Sequence, residues 1–469
     1  MRLFHPLKAS LVNAQDFELL DTPATPWLAP HAEYALLKTQ EDLKLMEERT
    51  RLVDFRALKD AVELNMAQQC LLIEWYIDGG ASQIYLVTLG NGNQIIARLT
   101  FWYSYTMNMG VDFAHQDEHD RERVPARLHS EVATLRHVKH ETNVPVAQVY
   151  AYDNNVSNPV GTAYMLQELV PGEVLARVWF EMAPDQRAAA AASWARCIGT
   201  LASLPFSSFG SLAMKQLDIV VGPQVHPSES LSRDFPLPDA GPWPVDQPYA
   251  FMLSMATREK LWLESPDGKR LFETLRSEMF VAEDRSKTLP AFTELFNRLI
   301  ELIHRAHAVY PLPPHLYRPA LMHGDLHMNN IIVSAENHAT ISGVVDWEFS
   351  RVVPLWVLSQ LPEGLQHHEG FTDEQRVENH KAQVRFGGAL IAACPDLGTI
   401  VHPQADRMTV DNANAHLKLL NLVLNGAALF YARGVMYNEL SSLRAYTQNT
   451  GAEGKWAIGV LSDLMTLFA

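Results

Sequence analysis

Cysteine is scarce in this sequence, and long apolar runs are missing. The three cysteines Cys70, Cys197 and Cys394 lie far apart among 469 residues, which predicts neither a Cys-x-x-Cys metal pair nor a disulfide framework. No run of about 18 apolar residues is present, so a transmembrane helix is not expected. The first residues also lack the apolar run of a secretory leader. We therefore expect a cytoplasmic protein in a reducing compartment.

Basic residues are also in deficit. The 38 Lys and Arg residues against 54 Asp and Glu residues give a formal net charge of −16, so neither nucleic acid nor an anionic membrane is expected as a general partner. The chain is otherwise 47% apolar and 20% charged, as ordinary globular proteins are. Its length favours two or three packed units over a single hydrophobic core.

Strand signals dominate residues 70–170, and helical signals dominate the residues that follow. The pair Asn91-Gly92 indicates a tight hairpin between two strands, because these residues tolerate positive φ. A polar stretch, residues 112–125, is typical of a solvated loop. The predicted strands are residues 70–77, 83–89, 94–101, 144–150 and 163–170, and the predicted helix among them covers residues 127–141. This order predicts an α+β fold, in which a small antiparallel sheet with one helix precedes a larger helical body.

The strongest local signal lies in the second half of the chain. The loop His323-Gly324-Asp325 leads to Asn330, and a strand, a turn and a second strand then lead to Asp346. Both Asn330 and Asp346 lie eight residues from His338. An antiparallel hairpin centred there is expected to place them opposite each other, roughly 5 Å apart.

These side chains carry the atoms that phosphoryl transfer requires. A carboxamide oxygen from Asn330 and a carboxylate from Asp346 are hard ligands suited to Mg²⁺. Asp325, on the preceding loop, is placed to accept the proton of a hydroxyl that attacks a metal-bound phosphate. The spacing therefore predicts a phosphoryl-transfer site.

The pattern His323-x-Asp325-x4-Asn330 with a later Asp346 resembles the aminoglycoside phosphotransferase and choline kinase-like small-molecule kinases. The segments 319–327 and 346–348 are closest in character to the fungal members of that family. The resemblance implies a bilobal protein-kinase-like fold, with Asp325 as catalytic base and with Asn330 and Asp346 as metal ligands. His323 is expected to brace the loop, and His327 is expected to have no part in transfer.

The same resemblance implies where a nucleotide binds. Gly79, Gly80 and Ser82 match the turn over the phosphates, where glycine lets the backbone approach and the Ser82 hydroxyl offers a hydrogen bond. Arg98 stands where the wider family has a phosphate-binding lysine, which is a departure because the guanidinium has a different geometry. Glu131 matches the helix carboxylate that pairs with this basic residue.

The segment 165–172 resembles the hinge of that family, where adenine would bind backbone groups near Glu168 and Val170. The implied organisation is an N-terminal, partly helical extension (residues 1–66), a nucleotide-binding N-lobe (67–171) and a helical C-lobe (172–469). The C-lobe carries the catalytic loop 321–348 and the acceptor site.

These observations predict an enzyme that uses ATP and Mg²⁺ to phosphorylate a hydroxyl of a small molecule. Two alternatives stay open: a pseudokinase that only binds nucleotide, which Arg98 favours, and a transferase of AMP on the same scaffold. A protein kinase is disfavoured, because Gly-x-Gly-x-x-Gly is absent and Asp346-Trp347-Glu348 replaces Asp-Phe-Gly. The sequence identifies neither the acceptor nor the oligomeric state.

Overall fold

The protein is described here from a computed structural model. The residues it describes are 28–30, 50–78, 82–101, 117–225, 236–279, 288–366, 370–401, 406–425, 435–449 and 451–468. The chain divides into two units. The first comprises Met1–Arg136 and Ala147–Val170, and the second comprises His137–Val146 and Pro171–Ala469.

The first unit is built on one six-stranded sheet with the strand order β1-β2-β3-β4-β6-β5. Its strands are β1 (Leu28–Pro30), β2 (Cys70–Asp78), β3 (Ser82–Leu89), β4 (Gln94–Thr100), β5 (Val149–Asp153) and β6 (Ala163–Glu168). Its helices are α1 (Phe55–Met66) and the part of α2 (Asp117–Glu141) that ends at residue 136. Neighbouring strands are antiparallel, except that β1 runs parallel to β2.

Alternating side chains of this sheet form a core with α1. Ile73 and Trp75 of β2 are buried with Leu58 and Val62 of α1. Residues two apart lie on one face of a strand, and residues four apart lie on one face of a helix. The side chain of Asp54 caps α1 by accepting the peptide N–H groups of the second and third helical residues. Residues 53–66, which belong to the predicted extension 1–66, thus contribute to the core of the sheet.

Two local predictions in this region are wrong in part. The predicted loop 112–125 is helical from Asp117 onward, because α2 begins there and continues through Pro125. Charged residues are as compatible with an exposed helix as with a loop, so polarity alone did not separate the two. The strand predicted for residues 144–150 begins at Val149 as β5, and Val146 forms only an isolated bridge with Val344.

The second unit is mainly helical. Its helices are α3 (Leu175–Val178), α4 (Pro184–Ala202), α5 (Ala250–Glu264), α6 (Pro266–Met279), α7 (Leu289–Val309), α8 (Asp373–Ala393), α9 (Pro395–Val401), α10 (Arg407–Asn425), α11 (Val435–Tyr446) and α12 (Ala452–Phe468). Short 3₁₀ turns cover Pro314–Tyr317, Met328–Asn330, Trp347–Phe349, Leu355–Ser359 and Glu363–Leu365. One apolar stripe is that of α7, whose buried residues recur at helical spacing from Ala291 to Val309.

Small sheets interrupt these helices and position the candidate site. Their strands are β7 (Glu173–Val174), β8 (Ser208–Phe209), β9 (Ser211–Lys215), β10 (Asp218–Gly222), β11 (Trp243–Pro244), β12 (Pro319–Met322), β13 (Ile331–Val333), β14 (Ile341–Val344) and β15 (Arg351–Pro354). The strand pairs are β12 with β15, β13 with β14 and β7, β9 with β10, and β8 with β11. The predicted hairpin after Asn330 is therefore present as β13 and β14.

The fold is α+β and protein-kinase-like, with a small antiparallel sheet in one unit and a mainly helical second unit, as predicted. In the parts of the chain that the structure describes, no helix combines the length and the apolar character needed to span a bilayer.

Candidate functional site

The loop after β12 is fixed by a close backbone approach. Gly324 has a φ of +90°, and a Cβ atom there would lie 2.2 Å from the carbonyl oxygen of Phe349. Only glycine fits such a position without strain. The adjacent Ser350 hydroxyl donates to the carbonyl oxygen of His323 at 3.0 Å, so the loop and the start of β15 are held together at two successive residues.

His323 ties this loop to the end of the hairpin. Its Nε2 atom donates to the carbonyl oxygen of Val345 at 2.9 Å, and its Nδ1 atom accepts the peptide N–H of Asp325 at 3.3 Å. Both bonds require the neutral ring with its proton on Nε2. Burial lowers the pKa of His323 to about 4, which keeps that form at neutral pH. The bracing function expected for His323 matches these contacts.

Asp325 and Asn330 meet in this loop. The Asn330 Nδ2 atom donates to the carbonyl oxygen of Asp325 at 2.8 Å and lies 3.3 Å from its Oδ2 atom. Asn330 is buried, whereas about two-fifths of the Asp325 side chain is exposed. Since the amide nitrogen of Asn330 turns toward Asp325, its carboxamide oxygen is the atom oriented away from that residue.

His327 is the functional candidate that sequence reasoning missed. Its Nδ1 atom accepts the peptide N–H of Asn329 at 3.2 Å, so its proton is on Nε2, which lies 3.4 Å from Oδ2 of Asp325. This contact with His327, which outweighs the effect of burial, lowers the pKa of Asp325 below its usual value. The sequence did offer one signal, a histidine two residues after the aspartate in the same loop.

The hairpin places Asp346 one position away from where the sequence predicted it. Ile331 pairs with Val344, and the peptide N–H of Val345 donates to the carbonyl oxygen of Asn330 at 3.0 Å. Asn330 is therefore opposite Val345 and not opposite Asp346. The register between Ile332 and Val333 is irregular, and counting residues from the centre of the turn cannot detect a bulge.

Asp346 itself has a left-handed backbone, with φ 66° and ψ 60°. Aspartate is one of the few residues with a Cβ atom that adopt this conformation, because its short polar side chain can form local hydrogen bonds. Trp347, directly after it, is buried, and its indole N–H donates to the carbonyl oxygen of Val344 at 2.8 Å. Glu348 follows in the same 3₁₀ turn and is partly buried.

The oxygen atoms of this region suit a hard cation. Asn330 can offer its carboxamide oxygen, and Asp346 offers a carboxylate, which are donor types that Mg²⁺ accepts. In the described residues, no three His, Cys, Asp or Glu side chains are grouped as a metal site. The donor set is therefore unlike the nitrogen- and sulfur-rich sets that hold zinc.

In the first unit, Arg98 forms a buried cluster with Glu131 and Ser82. The Arg98 Nη1 atom pairs with Oε1 of Glu131, and its Nε atom donates to the Ser82 hydroxyl oxygen at 3.1 Å. All three residues are at most 6% exposed. The ion pair that the family resemblance implies is thus present, with arginine in place of lysine.

The remaining predicted nucleotide-binding residues are Gly79, Gly80, Glu168 and Val170. Gly79 and Gly80 lie outside the described residues. The peptide N–H of Glu168 donates to the carbonyl oxygen of Gln148 at 2.9 Å, and its carboxylate accepts the Gln148 N–H at 3.0 Å. Glu168 is thus engaged within the sheet, and Val170 lies beyond the end of β6.

The comparison with protein families agrees with this geometry. A model of the phosphotransferase enzyme family, abbreviated APH, matches residues 76–357, which is more than half of the chain. The chain belongs to this phosphotransferase family. The matched range contains the Arg98 cluster, the Asp325 loop and the hairpin that ends at Asp346, so the predicted family resemblance is confirmed.

Curated relatives resemble the chain at lower identity. A subtelomeric hrmA-associated cluster protein of Aspergillus fumigatus is 26% identical over 330 residues, which cover 62% of this chain and 60% of that protein. Altered inheritance of mitochondria protein 9, mitochondrial, of Candida tropicalis is 24% identical over 329 residues, which cover 61% and 48%. The chain therefore spans 60% of the first relative and about half of the second.

Solved structures with a similar fold are phosphotransferases. An aminoglycoside-3′-phosphotransferase of type VIII is 16% identical with a TM-score of 0.38, and the match covers 75% of this chain and 93% of that chain. A GDP and kanamycin complex of an APH(2″) enzyme is 13% identical with a TM-score of 0.39, and the match covers 86% and 97%. The family assignment rests on the sequence match, and these superpositions add nothing to it.

The cytoplasmic location expected from the sequence is contradicted by the curated relatives. The matched proteins include several named as mitochondrial, from Candida tropicalis and Scheffersomyces stipitis among others. The cysteine content and the missing apolar runs on which the expectation rested do not separate the cytosol from the mitochondrion.

Proposed function

We propose that this chain is a kinase that moves the γ-phosphate of ATP to a hydroxyl group of a small molecule, with Mg²⁺ as cofactor. Membership of the phosphotransferase family supports the reaction class. The observation that carries the proposal is the contact of Asn330 with both the backbone and the carboxylate of Asp325. This contact joins the proposed base to a proposed metal ligand in one loop.

In this proposal Asp325 is the catalytic base. Its lowered pKa keeps the carboxylate ionised at neutral pH, so Oδ atoms can accept the hydrogen of the acceptor hydroxyl. As the hydroxyl oxygen forms a bond to the γ-phosphorus, the bond to the bridging oxygen of ADP breaks and the hydroxyl proton passes to Asp325. A weak base suffices, because phosphoryl transfer depends mainly on positioning and on charge stabilisation.

Asn330 and Asp346 are the residues that would hold Mg²⁺. The Asn330 side chain is buried and its amide nitrogen is bound to Asp325, which leaves its oxygen for a cation. The left-handed backbone of Asp346 fixes the direction in which its carboxylate leaves the chain. The ion would neutralise phosphate charge, and the protein keeps both ligands in place through His323 and Val345.

The nucleotide-binding functions are part of the same proposal. Arg98, held by Glu131, would contact phosphate oxygens, while Gly79, Gly80 and Ser82 would form the turn over them. Because the Glu168 N–H is used within the sheet, the backbone of Val170 is the better candidate for hydrogen bonds with adenine.

The direct test incubates the purified chain with ATP, Mg²⁺ and a cell extract, followed by mass spectrometry. Products heavier by about 80 Da indicate phosphoryl transfer, and products heavier by about 329 Da indicate AMP transfer. We expect the first. Thermal stabilisation by ATP with neither product would instead identify a nucleotide-binding pseudokinase and contradict the proposal.

The matching variant is Asp325→Asn, with Asp267→Asn as control. Loss of the base should reduce transfer by at least 100-fold, on the order of a general-base contribution, with ATP affinity nearly unchanged. The Asp267 side chain is 84% exposed on α6, so its variant should keep full activity. Parallel losses of transfer and ATP affinity in Asp325→Asn would remove the base assignment.

We also infer a mitochondrial location, on the basis of the relatives named as mitochondrial. Expression of the native gene product with a C-terminal fluorescent protein should give signal that overlaps a mitochondrial dye. Diffuse signal throughout the cell would contradict this inference without affecting the proposed reaction.

A further inference from the structure

Arg351, at the start of β15, is a buried arginine with unpaired N–H donors among the residues that the structure describes. It is 6% exposed, and neither its Nε nor its Nη1 atom has a hydrogen-bond partner. No ion pair of this side chain occurs in the described parts of the chain. Proteins rarely bury a guanidinium in this way, since an uncompensated charge in a low-dielectric environment is strongly unfavourable. Burial alone lowers the pKa of Arg351, to about 10.

A second buried donor lies on a neighbouring segment. Gln224 is 7% exposed, and its Nε2 atom has no hydrogen-bond partner. The strands connect the two residues. Gly210 exchanges both backbone hydrogen bonds with Val352, so Ser211 follows beside Arg351 in the antiparallel order. The Ser211 hydroxyl oxygen accepts the peptide N–H of Val225 at 3.1 Å, which brings the segment of Gln224 to the same strand.

Arg351 is also close to the proposed base along the chain. Its Cα atom is the register partner of Met322, about 5 Å away in an antiparallel pair. Asp325 is three residues beyond Met322, at most about 10 Å of extended chain. The Cα atoms of Arg351 and Asp325 are therefore within about 15 Å, a distance that one small molecule and two side chains can bridge.

We propose that Arg351 and Gln224 bind an anionic group, a carboxylate or a phosphate, of the acceptor molecule. Unused N–H donors at both residues match an acceptor of several hydrogen bonds, and a planar guanidinium binds such oxyanions through two of its N–H groups. The acceptor class is then a hydroxy acid or a phosphorylated alcohol. This inference rests on the proposed phosphotransfer function, and it names the substrate class of that site.

The first experiment measures binding without turnover. Thermal unfolding of the full chain is followed at increasing inorganic phosphate and, separately, acetate, in saturating Mg²⁺ and ADP so that the nucleotide phosphate site is filled. We expect the wild type to be stabilised by several degrees and Arg351→Met to lose at least four-fifths of that shift. Arg407→Met is the matched control, because the Arg407 side chain is 91% exposed, and it should respond like the wild type.

Each outcome of this experiment decides the proposal. An equal anion-dependent shift in wild type and Arg351→Met, or no shift in the wild type, would overturn it. Loss of the shift in Arg407→Met as well would identify a general charge effect and would also overturn it. A correctly folded Arg351→Met, shown by unchanged circular dichroism and unchanged ADP binding, keeps the comparison valid. Gln224→Leu should give a smaller loss of the shift.

The second experiment separates this inference from the proposed reaction. Products that are about 80 Da heavier are identified in extracts, and their precursors should carry a carboxylate or a phosphate. For such a precursor, Arg351→Met should raise KM at least tenfold and leave the KM for ATP unchanged. Phosphorylated products from neutral or cationic precursors would contradict the anion site while supporting the kinase. The absence of any phosphorylated product would contradict the proposed function, and the binding result would still stand.

Discussion

Two arginines in this protein are buried to the same extent but differ in their hydrogen-bond and ion-pair partners. Arg98 in the first unit and Arg351 in the second are each 6% exposed. Arg98 pairs with the buried Glu131 and donates to Ser82, whereas two nitrogens of Arg351 have no hydrogen-bond partner in the part of the chain that the structure describes. Both lie inside the range that matches the phosphotransferase family.

The charge of Arg98 is compensated by a carboxylate of the protein, whereas the charge of Arg351 would be compensated by the proposed anionic ligand. A buried cation with a carboxylate partner is held in one geometry, so Arg98 is pre-positioned whether or not a nucleotide is present. Arg351 has no carboxylate partner in the described residues, and the proposed anion would supply one. Variants that remove each arginine, or a residue beside it, test this difference.

The largest effect is expected from Arg98→Met. This variant removes the ion pair between Arg98 and the buried Glu131, which should lower the free energy of unfolding by about 3–5 kcal/mol. Urea unfolding monitored by circular dichroism measures the loss. The double variant Arg98→Met with Glu131→Leu should recover most of it, and an equally unstable double variant would contradict the account of a buried ion pair.

The next effect is the pH dependence of stability that arises from His323, a buried histidine that is neutral in the folded protein. The pKa of His323 is lowered from 6.5 to about 4, so between these values the unfolded chain binds a proton that the folded chain does not. The contribution of His323 to stability is therefore complete above pH 6.5 and decreases as pH falls to 4, by about 3 kcal/mol in total. His323→Gln, which keeps a donor for Val345, should flatten this part of the curve.

The stability of His323→Gln at each pH is compared with that of the wild type. His416 is also buried, with a pKa lowered to about 3, and it gives both proteins a decrease of the same sign. The prediction is thus a difference between two unfolding curves from pH 7 to pH 4. Curves that remain parallel would show that His323 does not titrate as its burial requires.

Arg351→Met should have a smaller effect of opposite sign to that of Arg98→Met. Removing an unpaired buried cation while keeping an apolar side chain of similar length should raise the free energy of unfolding by about 1–3 kcal/mol. The same urea experiment measures it in the absence of anions. A loss of stability comparable to that of Arg98→Met would indicate that Arg351 has an internal partner and would end the contrast.

The smallest effect is expected from His327→Ala. The contact between His327 and Asp325 holds the pKa of the carboxyl group down, so its removal should raise that pKa toward its ordinary value. The acidic limb of the pH profile of kcat/KM should then move to higher pH, with little change at neutral pH. The effect is small because Asp325 is partly exposed and solvent screens the pair. Movement to lower pH would contradict the stated cause.

Parts of this fold and site could be predicted from the sequence, because they depend on local patterns. The hairpin at Asn91-Gly92, the order of strands followed by helices and the spacing from His323 to Asp346 were visible without coordinates. The start of α2 at Asp117 was not, because polar residues suit both loop and helix. The register of β13 and β14 was missed by one residue, because counting from the centre of the turn does not detect the irregularity between Ile332 and Val333.

The sequence by itself determined the family, because the motif from His323 to Asp346 is local, and the residue types at 325, 330 and 346 supply the oxygen atoms that the proposed base and metal ligands require. Tertiary structure alone decided which charges are compensated. Glu131 lies 33 residues from Arg98, His327 becomes a partner of Asp325 only through the turn of the loop, and two nitrogens of the buried Arg351 have no partner among the described residues. Burial and pairing depend on residues that are distant in the chain, and no local pattern encodes them.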